Sequence, residues 1–181
     1  MFKKFYPTVY IPSVYTVDFS KIFNKGYKGL ILDIDNTFVE HGAPANEEAT
    51  MLFSKLHDIG FKTCIISNNH EERVKSFADK VNSLYIYEAN KPSKENYIKA
   101  AMMMDVPLSQ ALFIGDQLFT DILGANNAKI KSILVKPINI DPYFYIKLKR
   151  LGEKIVLPFY FRYARKHQEN LLSLFCLASL H

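Results

Sequence analysis

From residue 28 onward, short apolar runs alternate with amphipathic stretches. The runs are rich in Ile, Leu, Val and Tyr, which is typical of strands buried on both faces of a parallel sheet. They are GLILDI (29–34), KTCIIS (62–67), LYIYEA (84–89), ALFIGD (111–116) and KSILVK (131–136). The polar periodicity between them predicts helices over residues 46–58, 71–82, 93–104 and 120–128.

Residues that favour helix ends support these boundaries. Asn46 and Ser93 are suited to cap the starts of the first and third helices, and Gly60 follows the end of the first. Regular alternation of strand and helix predicts an α/β fold: a doubly wound, parallel, five-stranded sheet with right-handed crossovers and helices on both faces. At 181 residues we expect one domain, with a core over about 28–136 and an extension at each end.

Polar side chains follow the predicted strands at the point where each one ends. They are Asp33 and Asp35 after the first, Ser67, Asn68 and Asn69 after the second, Lys91 after the third, and Gly115 and Asp116 after the fourth. Taken singly, each suits an ordinary turn, cap or surface position. Together they lie at the carboxyl edge of an open parallel sheet, where such folds bind ligands.

The carboxylates at this edge need a counter-charge. Asp33, Asp35, Asp116 and Asp121 would repel one another in a partly buried crevice unless a cation lay among them. Oxygen ligands without His or Cys favour a hard ion, so we expect Mg²⁺ and a phosphate group as its partner. Ser67, the main-chain amides after it and Lys91 are the donors for that phosphate. None of the five histidines has metal-ligand spacing with another, and we expect no role for them.

Four segments in this order resemble the motifs of the haloacid dehalogenase superfamily of phosphatases: DIDNT (33–37), SNN (67–69), KP (91–92) and GDQLFTD (115–121). The resemblance covers about residues 28–136. The close motif spacing and the segment YKGLILDIDNT (27–37) resemble more narrowly the subfamily IIIA phosphatases of the YqeG family, which are related to mitochondrial phosphatidylglycerophosphate phosphatases. Asn36 stands where many relatives have Gly.

The resemblance implies a role for each matching residue. Asp33 is the nucleophile that becomes an aspartyl-phosphate, and Asp35, with a raised pKa, is the general acid and base. The implied phosphate-binding residues are Thr37, which also supports the loop, Ser67, Asn68 and Lys91. The implied ligands of Mg²⁺ are the Asp33 side chain, the Asp35 main-chain carbonyl, Asp116 and, through water, Asp121.

The motif spacing leaves no room for a cap domain. Only 33 residues separate Asp33 from Ser67, and 23 separate Ser67 from Lys91. An open cleft suits a phosphomonoester carried by something large, such as a lipid headgroup, a protein or a nucleic acid end.

Charge is unevenly distributed along the chain. The net charge of +5 divides into −6 over residues 29–128, +4 over residues 1–28, +8 over residues 129–167 and −1 from Glu169. Both basic flanks are rich in aromatic residues, and this combination suits an anionic bilayer surface. We expect most of the rings in the two flanks to pack over the sheet edges instead. The tail NLLSLFCLASL (170–180) is compatible with an interfacial helix, a core-packing helix or an expression artefact.

Three functions stay open at this point. They are a Mg²⁺-dependent phosphatidylglycerophosphate phosphatase at a membrane surface, a phosphatase of soluble or polynucleotide phosphomonoesters, and a non-enzymatic receiver-like module. The chain has no signal-peptide pattern, no membrane-spanning run and only two cysteines, so we expect a cytoplasmic protein with peripheral contact to the inner membrane face as an open alternative. The expected partners are a phosphomonoester substrate and an anionic phospholipid, with no specific nucleic acid. The oligomeric state stays open.

Overall fold

The computed structural model of the chain describes residues 2–140 and 143–167. Six parallel strands form one sheet, in the spatial order β1-β6-β5-β2-β3-β4. The strands are β1 (Val9–Ile11), β2 (Gly29–Leu32), β3 (Lys62–Ile66), β4 (Leu84–Ile86), β5 (Ala111–Gly115) and β6 (Lys131–Val135). The helices are α1 (Phe19–Asn24), α2 (Glu47–Ile59), α3 (Glu71–Val81), α4 (Glu95–Met103), α5 (Leu123–Asn127) and α6 (Phe144–Lys166).

The parallel α/β fold is confirmed, with one correction to the strand count. Each of the five predicted strands is present, but β1 adds a sixth by pairing with β6 at one edge, where Tyr10 lies opposite Leu134. This strand has only three residues and lies between Pro7 and Pro12, so its apolar pattern is too short to detect from the sequence. No cap domain interrupts the described chain between the strands.

The core lies in two layers, one on each face of the sheet. Helices α1, α2 and α3 cover one face, where Phe53 and Phe77 pack on strand residues such as Leu32. Helices α4 and α5 cover the other, where Tyr97 packs beside Phe113 with ring centroids 5.2 Å apart. Both faces of the sheet are therefore buried, as the nearly continuous apolar strand sequences require.

The helix ends agree with the sequence at two positions and differ at a third. The Asn46 side chain accepts a hydrogen bond from Ala49 N at 2.8 Å, and Gly60 ends α2 with a left-handed φ of 107°. The predicted cap at Ser93 is wrong. Ser93 belongs to a turn in which its N–H donates to Asn90 O, and α4 begins at Glu95 with Lys94 at the N-cap position.

The predicted helix over 120–128 begins earlier and in a wider form. Residues Leu118–Ile122 make a π-helical turn that continues into α5. The N–H groups of Asp121 and Ile122 both donate to Gln117 O, at 3.0 and 3.1 Å. Wide turns of this kind are frequent at functional sites, and this one directs Asp121 back towards the end of β5.

Helix α6 was not predicted, and it forms a third packed cluster together with the N-terminal segment. Val156 of α6 packs with Leu118 and Ile122 of the π-helical turn. Tyr6 meets Tyr160 of α6 with ring centroids 5.6 Å apart. None of the eight N-terminal aromatic side chains is fully exposed, so the expectation that most of the flanking rings pack holds for this flank: Phe2, Phe5, Tyr6, Tyr10, Tyr15, Phe19, Phe23 and Tyr27. It is wrong for the described part of the C-terminal flank, where most rings are exposed: Tyr143, Phe144, Tyr145, Phe159 and Phe161.

Across residues 2–140 and 143–167, no helix combines the length and the apolarity needed to cross a bilayer. The apolar tail over 170–180, for which three interpretations were left open, lies outside the described residues.

The strand order creates a crevice at the centre of the sheet. On one side of β2 lie β3 and then β4, and on the other side lie β5, β6 and then β1. Leu32 is in register with Ile65 of β3 and Ile114 of β5. The residues that follow these strands therefore meet at one edge, at the topological switch point where such sheets bind ligands.

Candidate active site

Asp33 and Lys91 form a buried ion pair at the carboxyl end of β2. Asp33 directly follows the strand, and its N–H donates to Ile114 O at 3.0 Å, which holds it against β5. Lys91 Nζ donates to Asp33 Oδ1 at 2.6 Å and to Asp121 Oδ1 at 2.8 Å. One lysine thus bridges carboxylates that come from the first and fourth sequence motifs.

The net effect of burial and neighbouring charge is to raise the pKa values of both members of this pair. Burial raises the pKa of Asp33 to about 7; Lys91 opposes the rise, while Asp121 and Asp35 add to it. Burial alone would lower the pKa of Lys91, but Asp121 and Asp33 outweigh it and raise that pKa well above its usual value. Lys91 is therefore a permanent cation beside a carboxyl group that titrates near neutral pH.

Asp121 holds the loop after β5 in place. Its Oδ2 accepts hydrogen bonds from the N–H groups of Asp116 at 3.1 Å and Gln117 at 3.0 Å. A Cβ at position 115 would lie 2.6 Å from the same oxygen, so only Gly115 permits this close approach. The Tyr97 hydroxyl donates to the main-chain oxygens of Thr120 and Asp121 at 3.1 and 3.0 Å, a support that the sequence did not reveal.

The residues present fit a divalent metal ion. Asp33, Asp116 and Asp121 each offer a carboxylate oxygen, and these oxygens lie within 4.8 Å of one another. Among the described residues, Asp116 Oδ1 is buried and has no hydrogen-bond partner, which leaves a lone pair directed at no donor. Burial raises the pKa of Asp116 well above its usual value, against the opposing charge of Arg150. A hard cation among three such oxygens would hold them ionised.

The Asp35 side chain lines the same cleft as Asp33 but is not one of these three clustered carboxylates. Its Oδ1 accepts from Gly42 N at 2.8 Å and from Arg73 Nη2 at 3.0 Å, and its Oδ2 accepts from Asn69 Nδ2 at 2.5 Å. Arg73 was missed in the sequence, where it reads as an ordinary surface residue of α3. The implied metal ligation by the Asp35 main-chain carbonyl stays a prediction.

Two of the predicted phosphate ligands line the cleft together with Lys91. Ser67 is buried, and its Oγ accepts from Asn69 N at 3.2 Å. Asn68 forms two hydrogen bonds with the main chain of Lys91: its Oδ1 accepts from Lys91 N at 2.7 Å, and its Nδ2 donates to Lys91 O at 3.3 Å. Both residues belong to the small cleft above β2, and Asn68 also fixes the segment that carries the lysine.

Thr37 and Asn36 shape the loop after β2 instead. Thr37 is buried and does not line the cleft, and its N–H donates to Ile34 O at 3.1 Å. Asn36 has a left-handed φ of 59°, which Gly and Asn adopt at the lowest cost, and this explains why Asn can replace the Gly of many relatives. Its Oδ1 accepts from Asn139 N at 3.2 Å, a bond that Gly could not make.

Helix α6 reaches the site with a cation that the sequence analysis did not identify. The Arg150 guanidinium pairs with the Asp116 carboxylate, and its Nη1 donates to Asp116 O at 2.6 Å. Glu153 Oε2 accepts from Arg150 Nη1 at 3.0 Å, and Glu153 Oε1 accepts from Leu118 N at 2.7 Å. The available signal was the helical spacing of Ile146, Arg150 and Glu153 on one face.

Other side chains complete the mouth of the cleft. They are His41 from the loop after β2, Asn69 from the loop after β3, Gln117 just before the π-helical turn, Thr120 within that turn, and Tyr145, Ile146 and Lys149 from α6. His41 also meets Tyr143 with ring centroids 5.3 Å apart. The tertiary structure brings His41 to the cleft, and the expectation that the histidines have no role in the chemistry stays a prediction.

Comparisons with known proteins agree with this geometry. The family model described as haloacid dehalogenase-like hydrolase matches residues 31–129. The chain is 34% identical to the probable phosphatase YqeG of Bacillus subtilis over 159 residues. The matched region covers 87% of this chain and 92% of that protein.

Two solved structures share the fold at low sequence identity. An uncharacterized protein from Listeria monocytogenes superimposes with a TM-score of 0.51 at 17% identity, over 64% of this chain and 84% of the other. The cobalt-bound deoxy-D-mannose-octulosonate 8-phosphate phosphatase from Haemophilus influenzae also gives 0.51, at 13% identity, over 71% and 77%. Together with the family match and the buried acidic cluster, these findings establish that the chain belongs to the haloacid dehalogenase-like hydrolases and, among them, to the YqeG family of phosphatases.

Proposed function

We propose that this phosphatase is a Mg²⁺-dependent phosphomonoester hydrolase that acts through an aspartyl-phosphate on Asp33. The observation that carries the proposal is the position of Asp33, at the floor of a cleft lined by Ser67, Asn68 and Lys91. A carboxylate nucleophile facing a buried ammonium group suits attack on a phosphoryl group, because the cation offsets the charge of the phosphate oxygens.

In the first step, an Asp33 carboxylate oxygen attacks phosphorus and the bond from phosphorus to the ester oxygen breaks. Asp35 gives its proton to the departing alkoxide, so the alcohol leaves neutral. Arg73 and Asn69 hold the Asp35 carboxyl group at the cleft wall through hydrogen bonds of 3.0 and 2.5 Å. Proton transfer needs a short reorientation of Asp35 towards the leaving group, as is common between resting and substrate-bound sites.

In the second step, Asp35 takes a proton from water, and the water oxygen attacks the phosphorus of the aspartyl-phosphate. The bond between phosphorus and Asp33 breaks, inorganic phosphate leaves and the Asp33 carboxylate is restored. Ser67, Asn68 and Lys91 are placed to hold the phosphate oxygens during both transfers, and Thr37 to support the loop that bears both acids. Two easier displacements replace one difficult one.

We propose Asp33, Asp116 and the Asp35 main-chain carbonyl as the ligands of Mg²⁺, with Asp121 bound through water. The unpartnered Asp116 Oδ1 supports this assignment, and so does the engagement of both Asp121 oxygens by Lys91 and main-chain amides. When bound, Mg²⁺ supplies positive charge to the phosphate oxygens and keeps the carboxylates ionised.

We propose phosphatidylglycerophosphate as the substrate, hydrolysed at the inner membrane face by a cytoplasmic protein of subfamily IIIA. Residues 28–136 would be the core of one capless domain with an extension on either side. The uncapped cleft supports a phosphate presented by a large carrier, and α6 places Tyr145 and Lys149 at its mouth. Lys149 suits a second anionic group, such as the phosphodiester of this lipid.

The test is Mg²⁺-dependent phosphate release from phosphatidylglycerophosphate in mixed micelles, with Asp33→Asn as the blank. A panel of soluble phosphomonoesters and a 3′-phosphorylated oligonucleotide runs beside it. We expect lipid turnover to exceed the others by at least about tenfold, a difference of about 1.4 kcal/mol in transition-state binding.

Equal or faster turnover of soluble esters or of the oligonucleotide would replace the lipid proposal by the corresponding alternative and keep the phosphatase chemistry. The receiver-like alternative gives no role to Asp35. Steady turnover above the Asp33→Asn blank on any of these esters would exclude it.

A further inference from the structure

Helix α6 carries two apolar faces, and among residues 2–140 and 143–167 only one of them is packed. Ile146, Val156 and Tyr160 are buried against the body of the protein. On the opposite side, four apolar residues follow one another at helical spacing: Phe144, Leu148, Leu151 and Ile155, which we call the outward stripe. Their exposed fractions are 81%, 60%, 58% and 59%. An amphipathic surface helix normally shows polar residues on this side, so the outward stripe requires a partner.

The charges on α6 indicate an anionic partner. Residues 144–166 contain seven Lys and Arg residues and one acid, Glu153. Glu153 is buried and bound to Arg150 and Leu118, so it does not balance the outer surface. Lys147 and Lys154 lie on the helix beside the outward stripe, and both are exposed. Apolar residues bordered by lysines are typical of helices that lie in the interface of an anionic bilayer.

A second copy of this chain fits the same surface less well. In a symmetric dimer the outward stripe would meet itself, and the cations of one α6 would face those of the other. Like charges brought together in this way oppose association.

The position of α6 relative to the cleft adds a functional reason. Tyr145, Ile146 and Lys149 line the mouth of the cleft, whereas Leu148 and Leu151 belong to the outward stripe of the same turns. The same helix thus borders the cleft with one side and presents the outward stripe on the other, so α6 would connect the active site to a bilayer in contact with the stripe.

We propose that the outward stripe of α6 is the surface by which this protein docks on an anionic lipid bilayer. This inference deepens the proposed lipid substrate and rests on it, since docking serves a reaction at the membrane. The helix lies along the interface with Phe144, Leu148, Leu151 and Ile155 among the headgroups and upper acyl chains. Lys147 and Lys154 contact lipid phosphates.

The experiment is sedimentation of the full-length chain with vesicles. One set is made of equal parts of phosphatidylglycerol and phosphatidylcholine, and the other of phosphatidylcholine alone. The test variant combines Leu148→Gln, Leu151→Gln and Ile155→Gln, which changes exposed positions only. The matched control combines Met51→Gln and Met102→Gln, two residues that are 66% and 74% exposed on other helices. Circular dichroism and hydrolysis of p-nitrophenyl phosphate verify that each variant is folded.

We expect the unaltered chain and the matched control to bind the anionic vesicles at least about tenfold better than the neutral ones, and the stripe variant to lose that binding. Equal binding by the stripe variant, or no binding by the unaltered chain, would overturn the proposal. A dimer in the absence of lipid that the stripe variant converts to a monomer would also overturn it, by assigning the surface to a second copy.

The two proposals can fail separately. If the stripe variant loses vesicle binding but the unaltered chain does not hydrolyse phosphatidylglycerophosphate in micelles, the proposed substrate is wrong and the docking surface is supported. If the unaltered chain hydrolyses this lipid rapidly in micelles but does not bind vesicles, the substrate is supported and the docking surface is wrong.

Discussion

Arg150 of α6 forms an ion pair with Asp116 at the end of β5, and the guanidinium also donates to the Asp116 main-chain oxygen at 2.6 Å. The Asp116 side chain is fully buried and that of Arg150 is 16% exposed. The last described helix is thus joined to the proposed metal site by a charge pair. Arg150 partly neutralises a carboxylate that Mg²⁺ is proposed to bind.

The first prediction concerns this pair. Arg150→Gln leaves Asp116 as a buried carboxylate without its cation, and removing one partner of a buried pair costs about 3 kcal/mol of unfolding free energy. Mg²⁺ should recover a larger share of stability in this variant than in the unaltered chain, because the metal then supplies the missing positive charge. Urea unfolding with and without Mg²⁺ measures both effects.

Lys149→Gln is the matched control for Arg150→Gln. It removes the neighbouring cation, which lines the cleft, whereas the ion pair with Asp116 is made by Arg150. Equal losses of stability in the two variants would show that helix charge, and not the pair with Asp116, is responsible.

The second prediction separates the two chemical steps by Asp35→Asn. With p-nitrophenyl phosphate the leaving group needs no proton, so Asp33 should still take up the phosphoryl group. Water then lacks its base, and steady turnover should fall by about 10²- to 10⁴-fold. Rapid-mixing kinetics should show a burst of p-nitrophenol close to one equivalent, followed by a slow phase.

Full steady-state activity in Asp35→Asn would remove Asp35 from the role of general acid and base. Asp33→Asn, which has no nucleophile, is the control and should show no burst.

The third prediction is a pH dependence of Mg²⁺ affinity. Burial raises the pKa of Asp33 to about 7 and that of Asp116 well above its usual value. A carboxyl group with a raised pKa holds its proton at low pH, and that proton competes with the metal. Affinity should therefore rise as pH increases through about 7, because Asp33 and Asp116 lose the protons that compete with the metal.

Titration calorimetry in two buffers of different ionisation enthalpy measures the affinity and the protons released. We expect about one proton or more released at pH 6 and fewer at pH 8. An affinity that stays constant over this range, with no proton release, would contradict the assignment of these carboxylates as ligands.

The fourth prediction concerns Tyr97→Phe. The lost hydroxyl donates to the main-chain oxygens of Thr120 and Asp121, and its removal should cost about 1 kcal/mol of unfolding free energy. Because Asp121 positions Lys91, kcat should fall severalfold with little change in KM. Tyr87→Phe, at a residue that is 40% exposed, is the control for loss of a tyrosine hydroxyl. An unchanged kcat in Tyr97→Phe would show that the hydrogen bonds of the Tyr97 hydroxyl do not contribute to catalysis.

Local sequence determined most of the catalytic core. Apolar runs of strand length and polar residues directly after them predicted five of the six strands and the edge where Asp33, Ser67, Lys91 and Asp116 meet. This succeeded because parallel strands place their carboxyl ends at one edge, so positions in the sequence translate directly into positions in space. The cap at Ser93 failed because α4 begins at Glu95, which puts Lys94 and not Ser93 at the N-cap position.

Only the tertiary structure decided what the flanks do. Packing between distant segments buries the N-terminal rings and orients α6, and such long-range contacts leave no periodic mark in a single segment. The same packing brings Arg150 to Asp116, directs Asp35 to Arg73 and leaves Leu148 and Leu151 facing outward. The residue types in DIDNT and GDQLFTD determined the chemistry, and their surroundings were set by chain segments far away in the sequence.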